Sequence, residues 1–187
     1  MEIILSSKGP ERIECDAVVL TFFQEEKPLK GISGLVDWRL HGFISRAMIN
    51  QFITGRFGEK TLIASNNMLL APMILCIGLG KVKQYSSSRL EEISTLILQT
   101  LHRIHVFTFT ACLPGVETLG WDYSNAIESL INGTFAWAKS EGGGTAPFRL
   151  ILREKKDRFD EIMIGLYRSR IKYKKSFEMA FHTNDKE

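Results

Sequence analysis

The chain has 187 residues, 44% of them hydrophobic and 24% charged, with a net charge of +3 and a pI near 8.8. These values fit one folded domain over residues 1–187, large enough to bury a core. No apolar run approaches the roughly 20 residues that span a bilayer, and the start Met-Glu-Ile-Ile-Leu-Ser-Ser-Lys lacks a signal peptide's basic opening and long apolar segment, which excludes a membrane role and predicts a cytoplasmic protein.

In chain order, residues 3–5 are a short apolar run, and residues 17–23 a β-branched and aromatic run ended by residues 24–28. Both read as strands. Across residues 31–50, Leu35, Trp38, Phe43, Ile44, Ala47 and Met48 recur at helical spacing, which predicts one amphipathic helix capped near Ser33. Residues 54–60 read as a loop and 61–65 as a brief strand.

Met-Ile-Leu-Cys-Ile-Gly-Leu-Gly-Lys at residues 73–81 is too short for a helix and is stopped by Gly78 and Gly80. It predicts a strand buried on both faces, in mid-sheet. A helix follows, capped within residues 86–88 and periodic through Leu90, Ile93, Ile97 and Leu101, then a strand at 106–112 and a turn-rich loop at 113–122. Residues 123–139 read as a helix, Gly142 to Gly144 as a link, 148–152 as a strand and 158–173 as a last helix. The polar tail, about 176–187, is expected to fray. Strands alternating with helices predict an α/β fold: a three-layer α/β/α arrangement around a mostly parallel mixed sheet.

Cys15, Cys76 and Cys112 are odd in number, widely spaced and set in or beside apolar runs, which points to buried thiols in a reducing compartment. His41, His102, His105 and His182 form no helical zinc motif, and no nucleophile elbow or Walker loop occurs. Catalytic residues, metal ligands and cofactors are therefore expected to be none. Gly78-Leu79-Gly80-Lys81 could cradle a phosphate with amides and a lysine, or simply be a tight turn. Gly115 to Gly120, leading into a helix, is the better anion candidate, although Glu117 opposes an anion. The basic run Arg168, Arg170, Lys172, Lys174 and Lys175, interleaved with Tyr167 and Tyr173, is a candidate nucleic-acid face or a solvated helix end.

The order of elements, with Ile74-Leu75-Cys76-Ile77-Gly78-Leu79-Gly80-Lys81 followed by a helix beginning Ser88-Arg89-Leu90-Glu91-Glu92, resembles the amino-terminal domain of the cytosol (leucyl) aminopeptidase family over roughly residues 17–163. The resemblance implies a fold like that of macro domains, which often bind ADP-ribose. Gly31-Ile32-Ser33-Gly34-Leu35-Val36-Asp37 leading into Ile44-Ser45-Arg46-Ala47 is similar to a worn macro glycine loop, and residues 115–120 stand where a macro domain would hold the diphosphate. It therefore implies ligand contacts from Gly31, Gly34, Asp37, Gly78, Gly80, Lys81, Gly115 and Gly120. In the aminopeptidases a second domain holds two metal ions around Asn-Thr-Asp-Ala-Glu-Gly-Arg, a run absent here.

These readings leave a non-catalytic interaction, regulatory or assembly module, with a protein partner or a second copy, as the leading expectation. The alternatives are an ADP-ribose-type pocket for a nucleotide-like or other anionic small molecule, and DNA binding through the basic carboxyl-terminal helix. The pocket alternative turns on whether the three glycine-bearing turns converge on an open mouth, or one plugged by side chains such as Trp38 and Trp121.

Overall fold

The glycine-stopped run is strand β4 (Met73–Gly78), and its residues beyond Met73 are buried. In the computed structural model, which describes residues 1–140, 148–174 and 178–183, six further strands join it. They are β1 (Glu2–Ser6), β2 (Ala17–Phe22), β3 (Lys60–Ala64), β5 (Thr108–Ala111), β6 (Arg149–Arg153) and β7 (Ala180–Thr183). The sheet runs β3-β4-β2-β5-β6-β1-β7. Only the β3–β4 hairpin pair is antiparallel among the described pairings, and the others are parallel. β4 is thus interior but next to the edge, and β5 takes the centre. Burial on both faces demands only that a strand be covered above and below, so an apolar run does not fix its rank in the sheet.

Alternation along the strands divides the core between two faces. Leu75 and Ile77 of β4 pack with α3 (Ser87–Arg103), α5 (Tyr123–Ser140) and α6 (Phe159–Tyr173), through Leu90, Ile97, Ile127 and Ile162 among others. Ile74 and Cys76 face the opposite way, onto Val36, Ile44 and Met48 of α1 (Gly31–Arg39) and α2 (Phe43–Ile49). The result is the expected three-layer α/β/α arrangement with a mostly parallel mixed sheet.

Four local expectations are corrected. The single helix over residues 31–50 is two, because His41 and Gly42 take positive φ (53° and 73°) and break the ladder. Asp37 then caps the second piece, its Oδ1 accepting from Ile44 N (2.8 Å) and Ser45 N (3.1 Å). Ser33 is no cap: it lies inside α1 and donates to Thr21 O (3.3 Å). The loop at 113–122 contains one helical turn, α4 (Val116–Leu119). In the tail, Ala180–Thr183 form the edge strand β7 rather than fraying, registered in parallel against Glu2 to Leu5. Gly142 to Gly144 and Lys175 lie outside the described residues.

Candidate functional site

β2 and β5 are neighbours that pair only at Ala17 with Phe109 and Val18 with Thr110, although β2 continues to Phe22 and β5 to Ala111. Their carboxyl ends therefore part. The chain leaves β2 for α1 on one face of the sheet and leaves β5 for α4 and α5 on the other, which makes a topological switch point, the place where open α/β sheets hold ligands. A cleft of about 330 Å³ sits there. Its floor includes Thr21, Phe23, Leu79, Cys112 and Leu113, and its walls are Glu26 with Lys30 to Ser33 on one side and Gly115, Glu117 and Thr118 on the other.

Two glycines shape this opening. Gly31 (φ +52°) starts α1, and Gly115 (φ +76°) starts α4 with no room for a side chain, since a Cβ there would come 2.9 Å from Phe23 Cζ and 3.0 Å from Tyr85 Cε1. Both need the left-handed backbone that glycine adopts without strain. The first α-helical bond of α1 is Gly34 N donating to Lys30 O (3.0 Å). The amides of Gly31, Ile32 and Ser33 precede it and are the donors a helix start offers a polar ligand.

The predicted ligand residues separate into two groups. Gly31 and Gly115 line the cleft, with Gly120 closing α4 at its far end (φ +63°). The others belong to scaffolding. A Cβ on Gly34 would meet Leu29 O at 2.6 Å, and one on Gly78 would meet Arg56 O at 2.1 Å. Gly80 donates its N–H to Gly55 O (2.9 Å), so Gly78 and Gly80 admit the 55–58 loop against β4. Lys81 is exposed beside this junction, and the Asp37 carboxylate is consumed by the α2 cap. Trp38 and Trp121 do not plug the cleft: Trp38 projects from the far end of α1, and Trp121 stacks on Tyr85 with ring centroids 5.6 Å apart.

The basic run lies on α6, partly engaged with its own fold. Arg168 donates to Glu128 Oε1 (3.3 Å), Lys172 to Asn132 Oδ1 (3.0 Å), and Arg170 sits 5.8 Å over the Phe181 ring. Lys174 is exposed at the helix end. The thiols are poor nucleophiles: burial pushes Cys15 up to about 11, Cys76 up to about 12, and Cys112 well above its ordinary value. Among the described residues no three His, Cys, Asp or Glu side chains gather closely enough to hold a metal ion, and no helix is long and apolar enough to cross a membrane.

Two carboxyl groups at the cleft escaped the sequence reading. Glu26 Oε1 accepts from Lys30 N (3.1 Å) and Oε2 from Phe23 N (3.4 Å), and burial raises its pKa, with Glu117 adding to the rise against those two amides and Lys30. Glu154, just past β6, is buried and accepts from Leu113 N (2.7 Å) through Oε1, holding the start of the cleft-lining loop. Burial pushes its pKa up to about 7. Glu26 lies in a stretch whose polar residues signalled only the end of a strand, and Glu154 beside lysines and an arginine that read as surface.

Comparison with known proteins agrees with this architecture. A probable cytosol aminopeptidase of Pseudomonas syringae pv. tomato is 29% identical over 101 residues, which are 54% of this chain and 20% of that enzyme. The chain thus spans a minor part of the length of such relatives. A macrodomain of Oceanobacillus iheyensis with ADP superposes with a TM-score of 0.71 at 8% identity, covering 90% of this chain and 91% of that one. A Trypanosoma brucei macrodomain in complex with ADP-ribose gives 0.68 at 17% identity, covering 86% and 67%. At such identities the likeness is one of fold. Residues 18–138 match the cytosol aminopeptidase family, N-terminal domain, and the chain belongs to that family.

Proposed function

We propose that this chain is a non-catalytic binding domain of the cytosol aminopeptidase family, whose cleft between the ends of β2 and β5 takes a small nucleotide-like molecule. The observation that carries this reading is the splay of those two strands beyond Val18 and Thr110, which leaves about 330 Å³ bordered by the first-turn amides of α1. The macrodomains of the same fold that hold ADP and ADP-ribose support it. Hydrolysis has no support in the cleft, where burial keeps Cys112 protonated, Glu26 holds two backbone amides and Glu117 pairs with Lys155. Three free cysteines fit a cytoplasmic setting.

The test is a thermal shift with adenosine, cyclic adenosine monophosphate and ADP-ribose at millimolar concentration. A ligand that binds only the folded chain raises Tm by mass action. At least one of the three stabilises the wild type on this reading, and a flat response to all of them refutes it.

A second reading, assembly with a partner or another copy, draws on the α1–α2 layer. Trp38, Ile49 and Phe52 are 70%, 74% and 79% exposed there, more apolar surface than a solvated layer needs. If it is right, light scattering at tens of micromolar shows a mass above 21.2 kDa that falls to it in a Phe52→Ser, Ile49→Ser variant. A monomeric wild type removes self-association.

A further inference from the structure

We propose that Glu26 and Glu117 act as a charge filter on the cleft, so that it takes a neutral or singly charged ligand and turns away a doubly charged diphosphate. The proposal rests on the cleft being a binding site and names the class of molecule it takes.

The α1 end of the cleft already holds a negative group of its own. Glu26 reaches forward to the helix start, and its two oxygens accept from Lys30 N and Phe23 N. It therefore occupies the region beside the amides of Gly31 to Ser33 that an incoming anion would approach. From the opposite wall, Glu117 extends towards the same point: its Oε2 would stand 3.2 Å from a Cβ on Gly31. Its other oxygen, Oε1, accepts from Lys155 Nζ at 2.9 Å. This pair is exposed, and solvent weakens it.

Lys30, whose side chain is exposed, and Lys155 are the cations nearest the two carboxylates. Lys155 is turned to Glu117 and is not among the residues that line the cleft. The walls thus carry two carboxylates against the one cation of Lys30, and Lys155 lies outside. Burial raises the Glu26 pKa, with Glu117 adding to the rise and the two amides and Lys30 opposing it. A doubly charged ligand adds repulsion from both walls. An uncharged sugar or base can donate its hydroxyl or amine hydrogens to the same oxygens.

Adenosine, cyclic adenosine monophosphate and ADP-ribose share a base and carry no, one and two negative charges. Calorimetric titration of each into the wild-type chain, into Glu117→Gln and into Glu26→Gln with Glu117→Gln tests the filter. Each amide removes the charge and keeps one acceptor oxygen, and Glu117 is exposed, so the single variant guards against a folding failure of the double one, in which residue 26 loses one of its two backbone bonds. The wild type binds adenosine or the cyclic monophosphate more tightly than ADP-ribose. Each carboxylate removed raises ADP-ribose affinity by about tenfold, and the ratio of ADP-ribose to adenosine affinity rises with it. Preference of the wild type for ADP-ribose, or variants whose ADP-ribose affinity is unchanged, overturns the filter and leaves the cleft reading standing. Absence of binding by all three ligands in all three proteins overturns both.

Discussion

Glu154 shows how one side chain ties the cleft to pH. It is 7% exposed, and its carboxylate holds Leu113 N at the start of the loop that carries Gly115 and Glu117. Burial, opposed by that hydrogen bond and by Arg153, lifts its pKa from 4.5 to about 7. Below the unfolded value both states are protonated. Between the two values the folded chain keeps a proton that the unfolded chain loses, so this group's contribution falls as pH rises and levels off above about pH 7. The whole change amounts to about 3 kcal/mol. Glu154→Gln keeps an acceptor for Leu113 N and cannot ionise. Urea unfolding should therefore find it no more stable than the wild type near about pH 4.5 and more stable by up to about 3 kcal/mol near about pH 8.

At the scale of elements, the lesson is in what interrupts periodicity. Helical spacing runs on through Trp38, Phe43, Ala47 and Met48, and nothing in that pattern marks a break. The break comes from a cap that reaches back from the preceding helix, Asp37 to Ile44 N and Ser45 N. Asp37→Ala strands those buried donors and should cost about 2 kcal/mol in chemical denaturation. It should leave ligand affinity unchanged, since Asp37 is not part of the cleft wall. A drop in affinity without loss of stability would restore its role as a ligand contact. β7 was hidden for a related reason. Ala-Phe-His-Thr has little apolar signal of its own, and it is a strand because β1 offers an unpaired edge.

On the scale of the whole molecule, the layering was legible because strands buried on both faces must be continuous apolar runs, as at Ile74 to Ile77, and the helices between them must show one apolar face. The neighbour order was not legible. Nothing in residues 17–23 or 106–112 says that β2 and β5 lie side by side, yet that adjacency and its early end create the cleft. Gly115 could be named from sequence because its loop leads into a helix, and Gly31 through the resemblance to a macro glycine loop. Gly78 and Gly80 carry the same local signal but serve the approach of the 55–58 loop, a contact between segments distant enough that spacing alone cannot reveal it.

Amide chemical-shift mapping of the nitrogen-15-labelled chain during an adenosine titration probes the cleft most directly. Saturable shifts are expected at Gly31, Ile32, Ser33, Gly115 and Thr118, with α6 and the outer face of α2 unmoved. Shifts that avoid those five amides, or that gather on Arg168, Arg170, Lys172 and Lys174 instead, would contradict binding at the cleft.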